Sequence, residues 1–442
     1  MRRVNPEYSL LALLMVAAAL VIFLPLGAVG LCDDESEILA LARQLQSTGF
    51  GALFTPKYAD NFATSAYAYL TSVGINVFCL SPIMAVRMPA AVVIWMLAAG
   101  IFRFRGEHER MDFAFLASLI FISSYSVSAH AYHASPLTLT ALFLIAALAS
   151  LYHWITKPTR TKAALLVASA CCASLFFGIL SPLALAVAGL IFLSIKDKKR
   201  PADYAKLLAL LALSAAVSFI LVAFFANSTE TARLILGIGN LTKPIAEYSR
   251  LNILALQLLF SIFPWSVPLI VALGWMAINP RWLKNRFLAM SLLKQFGVIV
   301  FILTLPLITA LNGLSTIMML AAIYLNVPLI AHFMLSQTHN HSVTWRISGC
   351  IFALLIFALA VAFVAAHCGV DVCVAGYAFR PKHGLSAGAA ILLAVIATSL
   401  YTLSRNQRTI RFNNRYIYNI VVLYLLAQIL YKAYINPYLI TL

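Results

Sequence analysis

Acidic side chains are scarce in this chain: 442 residues hold 14 Asp and Glu against 31 Lys and Arg, and charged residues make up 10%. So little charge, with 63% hydrophobic residues, excludes a soluble protein, which could not hide that much apolar surface. The apolar residues show no period-two alternation, which excludes a membrane β-barrel. The apolar runs hold almost no ionisable residue and show no internal repeat, and both absences argue against a solute transporter. No Cys/His spacing resembles a zinc site. The net charge of +17 does not point to nucleic acid, because Lys and Arg cluster in short loops between apolar runs.

What is present is a series of continuous apolar runs of about 17 to 25 residues, long enough to cross a hydrocarbon layer of ~30 Å. They predict an all-α polytopic membrane protein with thirteen spans, near 9–31, 83–102, 113–130, 134–154, 163–179, 182–195, 206–226, 253–278, 289–311, 315–335, 347–366, 387–403 and 416–434. The fifth and sixth are short and meet near Ser181-Pro182, so they form a tight hairpin or tilt strongly. The first, after Arg2-Arg3, reads as a retained signal anchor. With the N-terminus cytoplasmic, 22 of the 31 Lys and Arg fall on the cytoplasmic side, as the positive-inside rule requires. The C-terminus is then periplasmic, and residues 1–442 form a single transmembrane domain with no soluble C-terminal domain.

The longest outer segment is 32–82. Ile38, Leu39, Leu41, Ala42 and Leu45 recur at helical spacing, predicting a juxtamembrane surface helix over 34–47 that Gly49 and Gly51 end. A second amphipathic stretch follows around 61–75. The segment opens with Cys32-Asp33-Asp34-Glu35-Ser36-Glu37, which spends four of the chain's few acids in one place. Asp33, Asp34 and Glu35 are candidate catalytic residues: one carboxylate deprotonates an acceptor, or holds a metal on a phosphate. The alternative is that they cap the helix and offset its dipole.

Arg87, Lys57, Lys243 and Arg250 are candidate phosphate ligands, or else interface anchors whose charges reach to headgroups. His130 and His133 flank the turn between spans three and four and could line a cavity, but an i, i+3 pair with no third ligand is a weak metal signal. Cys171-Cys172 suits packing, and Cys368 with Cys373 suits a disulfide in a short outer loop.

These landmarks resemble those of the membrane-embedded GT-C glycosyltransferases, and among them the protein O-mannosyltransferase and aminoarabinose lipid A transferase group. The resemblance rests on Asp34-Glu35 after span one, Gly49 after the surface helix and Ala85-Val86-Arg87-Met88-Pro89-Ala90-Ala91 opening span two. Phe263-Pro264-Trp265-Ser266, Pro328-Leu329-Ile330-Ala331 and the thirteen-span count extend it. It implies an inverting transferase of the bacterial inner membrane and cell envelope, using a polyprenyl-phosphate-linked sugar at the outer face. The acceptor would be a lipid (as in lipid A modification), a glycan or a protein.

In that reading Asp34 is the base, Asp33 and Glu35 orient it, and the four cations meet the donor phosphate, with Trp265 beside the cavity. Membrane lipids are the other partners. A divalent metal fits such a site without being required by it. The chain also departs from the group. Asp60-Asn61-Phe62-Ala63-Thr64 stands where a Lys-Pro-Pro is usual, and His133-Ala134-Ser135-Pro136 lacks the usual acid at span four. Leu180-Ser181-Pro182 and Asn312-Gly313-Leu314 lack the usual lysines. These gaps motivate the alternative of a non-catalytic GT-C-like scaffold or lipid-carrier-binding partner subunit.

Overall fold

The computed structural model describes residues 6–236, except 24–25, 28–29, 60–61, 104–110, 179 and 196–200. Beyond these it describes Trp265, Ser266, Tyr324, Cys350, a few positions between 353 and 365, and three short strands. Apart from those positions, spans eight to thirteen lie outside the described residues, as do Lys243, Arg250, Cys368 and the Pro328 motif.

Helix α1 (Pro6–Phe23) is the first apolar run. It packs on α5 (Pro82–Arg103), where Trp95 Nε1 donates to the Met15 carbonyl at 2.9 Å and the Trp95 ring meets Phe23 edge-on. Leu13, Val16 and Leu20 face outward from α1, the arrangement expected of a helix with lipid on one side.

Between these helices runs the segment expected at the membrane surface. Helix α2 (Asp33–Thr48) buries Glu35, Ile38, Leu39, Ala42 and Leu45 on one face. Gly49 ends it with φ 77°, a left-handed conformation that glycine adopts without strain. A 3₁₀ turn (Phe50–Phe54) and helix α3 (Pro56–Ala59) lead to α4 (Phe62–Asn76). Helix α2 lies on α4, and α4 lies on α5.

Span three is not the single helix expected. It breaks into α6 (Met111–Ser123) and α7 (Tyr125–Tyr132), which bend by 63°. The reason is local: Ser123 Oγ bonds the Leu119 carbonyl and Ser124 Oγ the Ile120 carbonyl, and such back-bonding draws acceptors out of the helical ladder. Trp265, fully buried, donates from Nε1 to Ser123 Oγ at 2.9 Å beside the break.

Helices α8 (Pro136–Thr156), α9 (Arg160–Phe177), α10 (Leu180–Ile195) and α11 (Pro201–Ala226) follow, and short α12 (Thr229–Ile235) folds back on α11. The hairpin between spans five and six turns at Gly178 (φ 73°), three residues before the expected Ser181. Ser174 Oγ and Ser181 Oγ close it at 3.2 Å. Among the described residues four helices, α5, α8, α9 and α11, are long and apolar enough to cross a membrane, or five if the bent pair α6–α7 is one span. The chain is thus a multi-pass helical membrane protein. A small antiparallel sheet adds to the helices: β1 (Val372–Val374), β2 (Tyr377–Phe379) and β3 (Leu439–Thr441), with Cys373 opposite Ala378 and Tyr377 opposite Thr441.

Candidate active site

The four acids do not share one environment. Asp33, Asp34 and Glu37 are exposed, whereas Glu35 is 1% exposed. Periodicity explains the division. Glu35 is on the same stripe as Ile38, Leu39 and Ala42, so docking that apolar face carries the carboxylate inward.

Arg87 meets it there. Its Nε donates to Glu35 Oε1 at 2.9 Å and its Nη2 to Oε2 at 2.7 Å, a bidentate fork that suits arginine geometry. Nη1 donates to the Leu26 carbonyl at 2.8 Å and Nη2 also to the Gly30 carbonyl at 2.7 Å. Glu35 takes two further N–H donors, from Cys32 at 3.2 Å and Ala134 at 3.0 Å. The Cys32 contact is half of a capping box that closes the start of α2.

Burial pushes the Glu35 carboxyl up. The hydrogen bonds from Arg87 and the Ala134 amide, with the nearby His133 ring and the Arg87 charge, outweigh that effect and hold it well below the usual carboxylate range. A carboxylate that accepts four N–H donors and resists protonation is a poor general base. This geometry suits Glu35 to orienting, the role the resemblance implies, rather than to taking a proton, and it directs Arg87 to protein groups where the expectation had a phosphate. Together they tie the segment after α1, helices α2 and α5 and the turn before α8 to one point.

Beside Arg87, α5 departs from a regular helix. Pro89 lies inside the helix, where its ring forces a carbonyl aside and supplies no N–H. The Tyr67 hydroxyl fills the gap, donating to the Val86 carbonyl at 2.7 Å and accepting from Ala90 N at 3.4 Å. Burial pushes the Tyr67 phenol above its ordinary value, so it keeps the proton it donates.

Asp33 and Asp34 begin the first turn of α2. Neither carboxylate is held in an ion pair among the described residues. Lys57 is exposed, and its Nζ lies 5.1 Å over the Tyr58 ring. The histidines diverge. His130 Nδ1 bonds Ser135 Oγ at 3.1 Å, while His133, exposed, has Nδ1 3.7 Å from Glu35 Oε1. The cluster that forms takes only one of the two histidines: the ligand atoms of Cys32, Glu35 and His133 all lie within 4.8 Å of one another. Trp265 is buried at the helix break, bonded to Ser123.

No protein-family model matches the chain, and no curated protein does. Solved structures do. ArnT from Cupriavidus metallidurans bound to undecaprenyl phosphate aligns with a TM-score of 0.63 at 14% identity, covering 96% of this chain and 77% of that one. The apo state of the same protein aligns at 0.62 and 12% identity, covering 98% and 79%. The chain has the ArnT fold. At such identity the ArnT likeness is one of fold, and it agrees with the GT-C resemblance read from the sequence.

Proposed function

We propose that the chain is an inverting glycosyltransferase at the outer face of a bacterial inner membrane, with its N-terminus cytoplasmic and its C-terminus periplasmic. Its donor is a sugar linked to a polyprenyl phosphate, and its acceptor a lipid, glycan or protein. The observation that carries this reading is the contrast within one turn of helix. Glu35 is locked by Arg87, and that lock leaves the neighbouring Asp33 and Asp34 carboxylates exposed on a fixed backbone. A fixed, accessible carboxylate is what a general base requires. The ArnT structure bound to undecaprenyl phosphate supports the choice of lipid.

In this scheme Asp34 takes the proton of the acceptor nucleophile as that atom bonds the anomeric carbon. The bond from that carbon to the lipid phosphate breaks on the opposite side, and the phosphate leaves with its electron pair. Asp33 orients the acceptor. Lys57, with Lys243 and Arg250, offsets the leaving charge. The test is native mass spectrometry with undecaprenyl phosphate, followed by a donor screen. Retained lipid that Lys57→Ala or Arg250→Ala weakens supports the assignment, and transfer lost in Asp34→Asn supports the base.

A second reading, a non-catalytic scaffold or lipid-carrier-binding subunit, is favoured by one finding: four of the five Arg87 N–H donors go to Glu35 and two carbonyls. That reading predicts lipid binding with no turnover for any donor, and indifference to Asp34→Asn.

A further inference from the structure

Cys32 immediately precedes α2 and His133 immediately follows α7. Packing brings them, with Glu35, to within 4.8 Å at their ligand atoms. Two ligands on one tetrahedral zinc ion stand roughly 3.3–3.8 Å apart, given bond lengths of ~2.0–2.3 Å. Glu35 Oε1 and His133 Nδ1, at 3.7 Å, already meet that spacing. Cys32 and His133 are exposed and Glu35 is buried, so the adjustment falls to the two ends at the surface.

We propose that Cys32, Glu35 and His133 form a binding site for a borderline-soft divalent cation of the zinc class, with a fourth position open to water. Thiolate, imidazole and carboxylate together select zinc-like ions over magnesium or calcium, which take oxygen ligands. Arg87 supplies what a carboxylate ligand needs behind it: two hydrogen bonds that fix its plane. The ion takes the place on Oε1 that the Ala134 amide holds at 3.0 Å and leaves the Arg87 fork intact.

Coordination of Cys32 as thiolate releases its proton to solvent. The bound ion ties the start of α2 to the turn before α8. None of this rests on the transferase reading.

The experiment is titration of the reduced, chelator-treated full-length protein with Co²⁺, whose spectrum reports thiolate ligation. The expected result is one equivalent bound with a near-ultraviolet thiolate-to-cobalt band, which Zn²⁺ displaces. Cys32→Ser loses that band, and His133→Ala weakens binding at least ~10-fold. Both variants keep the thermal transition of the metal-free protein, because both positions are exposed. Absence of the band overturns the proposal, as does a band that survives Cys32→Ser (another of the seven cysteines) or affinity unchanged in His133→Ala.

Discussion

Arg87 and Glu35 form a bidentate ion pair at 2.7 and 2.9 Å, with side chains 2% and 1% exposed. Breaking one side of such a pair strands a buried charge, which costs about 3–5 kcal/mol, whereas replacing both partners together is far less harmful. Arg87→Ala should therefore lower the thermal transition in detergent sharply. Arg87→Met combined with Glu35→Gln should recover most of the loss. Equal destabilisation by the single and double replacements would remove the pair from its structural role.

The pair also fixes a pH dependence. The folded-state pKa of Glu35 is depressed, so its contribution to stability is complete above the unfolded carboxylate value of ~4.3. It is lost as pH falls from there through the lower folded value. Unfolding followed between pH 7 and pH 3 should show a steepening loss below about pH 4, and Glu35→Gln should flatten that limb. A profile identical in wild type and variant would contradict the assignment.

Asp34→Asn should leave the thermal transition within about 0.5 kcal/mol of wild type, as for other exposed positions. In a radiolabelled donor assay it should reduce transfer by roughly 10²–10⁴-fold, the usual range for a lost general base. Asp33→Asn should have the smaller effect. A folded Asp34→Asn protein with undiminished turnover would move the base elsewhere.

Tyr67→Phe removes the hydroxyl that serves both Val86 and Ala90. A buried backbone group left without its partner costs about 1–3 kcal/mol. The variant should unfold that much more easily and weaken the grip on Arg87. Unchanged stability would mean that α5 closes its own ladder past Pro89.

Much of the helical frame is written in local patterns. The apolar stripe Ile38, Leu39, Ala42 and Leu45 marked α2 within a residue of its start, and Gly49 marked its stop, because both depend on residues one turn apart. Run length marked α5, α8 and α11 in the same way. What local pattern could not reach is the partner of each buried group. Glu35 sits on the apolar stripe, a signal that it faces inward, yet its arginine lies 52 residues away and its amide donor Ala134 lies 99 away. The same gap hid the cluster of Cys32 with His133. The bend at Ser124 was missed for a different reason. Hydropathy treats Ser123 and Ser124 as weak interruptions of an apolar run and does not register that their hydroxyls compete for carbonyls.

The ion pair sets an order of assembly. Glu35 is synthesised 52 residues before Arg87, and at ~5–20 residues per second its partner follows several seconds later. An ionised carboxylate cannot enter an apolar contact alone in that interval, so α2 stays in water until α5 is in place. Docking of the surface helix thus follows insertion of the second apolar run, and the exposed acids at its start take up their final position only then.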